Sequence, residues 1–106
     1  MSANLTEEEF AKHVGTTFQL KLDETEIPLK LTEVRGYLPH ENEQRGLERF
    51  SIFFDGPGSV RLPQGIFLLR HEAMGEIEIF LVPISGDDKG YRYEAVFNTN
   101  SQNRLR

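Results

Sequence analysis

"LVPISGDDKGYRYEAVFN", residues 81–98, decides the fold. Two alternating apolar runs flank Gly86, Asp87, Asp88, Lys89 and Gly90, residue types that reverse a chain. A period of two on both sides of such a turn predicts an antiparallel hairpin. Its first strand reaches back to Glu76. There Ile77, Ile79 and Leu81 alternate with Glu76 and Glu78, until Phe80, Val82 and Ile84 make the outer side apolar too. On the second strand Tyr91, Tyr93, Ala95 and Phe97 share one face, and Arg92, Glu94 and Val96 the other. A hairpin apolar on both sides needs cover on both. The outer cover is either an amino-terminal helix or another chain, because clustered exposed apolar residues mark an interface.

The same period runs upstream. Phe18, Leu20 and Leu22 alternate with polar residues, as do Ile27, Leu29 and Leu31, with a turn over Asp23 to Glu26. Pro28 cannot donate to a ladder, so it belongs at an edge or a bulge. "RFSIFFDG" places Phe50, Ile52 and Phe54 on one face and Ser51, Phe53 and Asp55 on the other. "IFLLRHE" pairs with the strand that follows "AMG", and residues 36–47 lose the alternation. One helix precedes the strands, over residues 7–14. Thr6 and Glu9 have capping-box spacing, Leu5 and Phe10 that of a hydrophobic staple, and Gly15 supplies the stop. Phe10 and Val14 form its apolar stripe. A helix of about two turns does not persist alone, so it must dock.

Six strands and one short amino-terminal helix predict a mainly β fold, a compact antiparallel six-stranded barrel or sandwich. Residues 1–98 form a single domain, and 99–106 are a polar, frayed tail. At 106 residues there is room for one core, and eight Phe and three Tyr supply it, since each aromatic ring buries roughly 150–250 Å². The net charge of −5 opposes a phosphate backbone and an anionic bilayer, so neither nucleic acid nor membrane is an expected partner. There is no cysteine, which excludes disulfides and thiolate chemistry. The start, "MSANLTEEEF", has neither the basic nor the apolar part of a cleavable signal. The expected location is the cytoplasm, or outside the cell by a route without such a signal.

Residues that could carry chemistry are scattered. His13, His40 and His71 have no metal-ligand spacing, and Asp87-Asp88 sits at a hairpin tip rather than in a calcium loop. "DGPGS", residues 55–59, lacks the lysine and helix of a phosphate-cradling loop. No serine stands in a nucleophile elbow. No catalytic residue, metal ligand or cofactor is assigned, and the expected function is a non-enzymatic interaction or assembly module. Its contact surface would combine Phe53, Phe80, Val82 and Ile84 with Tyr37, His40 and Arg45 of the polar segment, for a protein partner or for self-association. The alternative is a small-ligand-binding β-barrel with Tyr91, Tyr93 and Phe97 around an internal cavity.

"LPQGIFLLRHEAMGEIEIFLVPI" followed by "YEAVFN" resembles a family of small bacterial domains of unknown function. The shared pattern is L-x-Q-G-x-[YF]-x-[LI]-x-H, then G-x-x-x-[LI]-F-[LV]-x-P, then Y-[EQ]-[AV]-x-[FI]-N. Leu62, Gln64, Gly65, Phe67, His71, Gly75, Phe80, Pro83, Tyr93, Glu94 and Asn98 fall on it. The opening "F…VGTTFQL" is similar as well. The resemblance implies no activity or cofactor, and it suggests a place among phage-tail-like or fibre proteins. Gln64, His71 and Asn98 are its polar members. They are expected as structural hydrogen-bonders at turns and strand ends, where buried polar groups need partners.

Overall fold

The computed structural model describes residues 5–36 and 47–100. Tyr37, His40 and Arg45 of the expected interface lie outside the described residues. The elements are a helix α1 (Glu7–Ala11) and strands β1 (Thr17–Leu22), β2 (Thr25–Gly36), β3 (Leu47–Pro57), β4 (Gly65–His71), β5 (Gly75–Asp87) and β6 (Gly90–Asn100). They form one closed antiparallel barrel with neighbour order β1-β2-β3-β6-β5-β4. Of the two architectures the alternation allowed, the barrel is the one adopted.

Three tight hairpins build most of it. Leu22 pairs Thr25 around Asp23, which holds φ +56°, a left-handed conformation that Asp tolerates better than most residues. His71 pairs Gly75, and Asp87 pairs Gly90. At the last turn the Asp87 carboxylate accepts the Lys89 N–H at 2.9 Å, so the aspartate closes its own turn. The longest ladder joins β3 to β6, from Leu47↔Asn100 to Pro57↔Gly90. It takes in Asp55, Gly56 and Pro57, so the glycine-rich crossing begins later than its composition suggests. It also takes in Thr99 and Asn100, the first residues of the segment read as a tail. A Cβ on Gly58 would overlap the Asp88 carbonyl, because the β5–β6 tip lies directly against that backbone. Pro28 pairs Gln19 on one side, and the β2–β3 ladder reaches only as far as Lys30↔Asp55. Its missing N–H therefore costs nothing.

Two bulges shift the alternation. One between Leu31 and Glu33 lets Val34 face Ile52 and turns Glu33 outward opposite Phe53. The other, between Pro83 and Ser85, sets Ile84 out of phase, so Ile84 does not continue the face of Phe80 and Val82. Inside, Phe18 meets Phe54 edge-on at 5.3 Å, and Phe50, Ile52, Leu69 and Leu81 are fully buried.

The helix is shorter than its expected span. Thr6 caps it through the Glu9 N–H at 3.1 Å, while the Glu9 carboxylate turns to Lys12 and His13. Phe10 is completely buried, 6.0 Å from the Phe50 ring and 5.2 Å from Phe97, which stack on each other at 4.9 Å. Val14 is exposed rather than part of the stripe. Gly15 at φ +96° donates to the Leu31 carbonyl, and Leu31 donates to Thr16. α1 packs on β2 and β3 and closes the barrel end where Phe50 and Phe97 lie. The outer side of the β5–β6 hairpin gets no cover from it.

Candidate functional site

That outer side, with β4 beside it, carries Ile66, Phe80 and Val96, exposed large apolar side chains. On β4 and β5 the outward pairs are Arg70↔Glu76, Leu68↔Glu78 and Ile66↔Phe80. The face therefore runs from charged at the hairpin turn to apolar beside the crossing. Ile66 is 70% exposed, Phe80 48% and Val96 60%. Val82, half-buried, pairs Glu94 on β6, two residues before Val96. Ile84 is 44% exposed at the bulge. Lone exposed apolar residues are ordinary, but a cross-strand Ile–Phe pair beside further aliphatics is a contiguous patch.

Phe53 is absent from this surface, although the alternation points it outward. It is 5% exposed. The Arg35 and Arg92 guanidinium carbons lie 5.0 and 4.8 Å from its ring centre, within cation–π range. Both arginines are held there by Glu33, at 2.6 and 2.7 Å. The Arg35 hydrogen bond, with the charges of Arg35 and Arg92, holds the Glu33 carboxyl below its ordinary range. Beside this cluster the Ser51 hydroxyl donates to the Glu94 carboxylate at 2.8 Å.

The polar members of the resemblance separate. His71 is buried, and Gln64 is exposed at the bend before β4, so Gln64 is no buried amide in need of partners. Asn98 pairs Arg49 through the backbone, and its side chain lies outside the described residues. The Nδ1 of His71 accepts the N–H groups of Ala73 and Met74 at 3.0 and 3.1 Å. Its Nε2 sits 2.9 Å from the Thr16 hydroxyl, which itself donates to the His13 carbonyl at 2.6 Å. Nδ1 is an acceptor and the hydroxyl proton is already committed. The ring is therefore neutral with its proton on Nε2.

Sequence reasoning missed Ile66 and Val96, although the phase of each strand carried the signal. It had no signal for the arginines over Phe53, since Arg35, Phe53 and Arg92 meet only through the registers of three strands. Tyr93 and Phe97, proposed to line a ligand cavity, are packed instead. The Tyr93 ring is buried with its hydroxyl accepting the Leu62 N–H at 2.9 Å, and Phe97 lies on Phe50. No group of three or more metal-ligating side chains occurs among the described residues. No helix there is long and apolar enough to cross a membrane.

Residues 5–97 match the family model described as Domain of unknown function (DUF6916), and the chain belongs to that family. Neither the curated proteins nor the solved structures contain a match to it.

Proposed function

We propose that this domain is a non-enzymatic interaction or assembly module whose contact surface is the outer face of β4, β5 and β6. The observation that carries the reading is the outward Ile66–Phe80 pair, 70% and 48% exposed with Val96 at 60%. α1, the element able to cover it, is occupied at the barrel end instead. The partner is a different protein with a basic margin. A second copy would bring a net charge of −5 against −5, and Glu76 and Glu78 share the outward face of β5 with Phe80. An accessory position in a tail-like or fibre assembly, which the resemblance suggests, is a role of this kind.

The test compares the intact protein with I66D/F80D, both shown folded by circular dichroism. The intact protein should retain a defined partner from its native cell and bind that purified partner directly. The double variant should bind it at least about tenfold more weakly, as expected for loss of a central aromatic anchor. Equal binding by both proteins would overturn the proposed surface. A dimer of the intact protein alone, seen by light scattering, would overturn the choice of a different protein.

A further inference from the structure

The second polar constellation lies at the opposite end of β4 from Ile66, and its bonding differs from that of a simple buried histidine. His71 joins three separate pieces of chain. Through Nδ1 it holds the turn after β4, through Nε2 it holds Thr16 at the head of β1, and through Thr16 it reaches the last carbonyl before Val14. Its ring also packs 4.2 Å from Phe18 and 4.7 Å from His13. We propose that His71 is an acid-sensitive latch. Its neutral form fastens the β4–β5 turn to the barrel end, and protonation at Nδ1 frees that turn while the Nε2 link to Thr16 stays in place.

The chemistry is one proton. An Nδ1 that gains hydrogen can no longer accept from Ala73 and Met74, so two buried or half-buried N–H groups lose their partner at once. The imidazolium would sit on Phe18 and against His13, with only 7% of the residue exposed. The charged or titratable groups facing it are His13, itself 3.6 Å from the Glu9 carboxylate, and Glu72, next along the chain. Phe18 and Thr16 from β1 and Met74 from the turn bring no charge. Burial first, then the charge of His13, holds His71 below the ordinary histidine range, against a smaller opposing pull from Glu72. A histidine lowered on folding contributes stability that is full above its unfolded value. That contribution is lost as pH falls from there toward the folded value. Below about pH 6.5 the closed latch weakens by up to tenfold per pH unit, the limit for one proton.

The experiment is read on the intact protein by nuclear magnetic resonance. Ring nitrogen shifts at neutral pH should report an unprotonated Nδ1 and a protonated Nε2 for His71. Amide exchange, corrected for intrinsic rates, should show protection of Ala73 and Met74 falling between pH 6.5 and 5.0. Ile52 and Phe54 in β3 should keep theirs. His71→Asn places a non-titrating acceptor where Nδ1 stood, able to bond two residues ahead, and should flatten that pH dependence. The latch is overturned by a proton on Nδ1 in the neutral protein, by an unchanged pH profile in H71N, or by all amides falling in step. If H71N does not fold, the ring shifts and the exchange profile of the unmodified protein decide alone.

Discussion

Phe53 and Phe80 both point outward from the barrel, one on β3 and the other on β5, yet one is 5% exposed and the other 48%. Their own strands do not explain it, because each ring sits at an outward position of an alternating run. The neighbours do. Phe53 stands between β2 and β6, which place Arg35 and Arg92 over its ring, and the Glu33 carboxylate bonds both arginines. Phe80 stands opposite Ile66, which cannot shield it and is more exposed still. An arginine carries an apolar stem and a flat, weakly hydrated head, so two of them serve as a lid. Outward aromatic rings therefore divide into covered and open according to what the next strands offer.

Truncation should rank the rings. Phe54→Ala, inside the barrel and fully buried, should cost about 3–5 kcal/mol. Phe53→Ala should cost roughly 1.5–3 kcal/mol, because its lid excludes water nearly as well as a core does. Phe80→Ala should change stability by less than about 0.5 kcal/mol. Urea unfolding at neutral pH measures all three, and a Phe53 loss no larger than that of Phe80 would break the comparison.

A smaller effect sharpens it. The Glu33 carboxyl is held low by its arginines, so its contribution is full above the unfolded carboxylate value. It disappears as pH falls through the lower folded one. The intact protein should lose more stability between pH 7 and pH 3 than Glu33→Gln does, read as the shift of the urea midpoint. Identical shifts would mean that the carboxylate does not anchor the lid.

Much of this fold was legible because alternation is a local property. Period alone gathers Phe18 with Leu20, Ile27 with Leu29, and Phe50 with Ile52 and Phe54 on single strand faces, and these residues are buried. The same signal failed wherever a bulge inserted a residue, which is why Ile84 was placed on the face of Phe80. It also failed for Val14, since helical spacing assumes a helix longer than Glu7–Ala11. The helix caps were readable, but its docking place was not. A stripe says that a helix must pack without saying on what.

The order of residues alone determined a chain of alternating strands with a short capped helix, turned at Asp23, Gly75 and Asp87, with no clustered chemistry along its length. Only the tertiary structure decided that the sheet closes, that α1 plugs an end, that two arginines roof Phe53, and that His71 bonds Thr16. The reason is range. Period and turn chemistry act over a few neighbouring residues, whereas cover, lids and latches join distant positions, Glu33 to Arg92 across 59 residues and Phe10 to Phe97 across more.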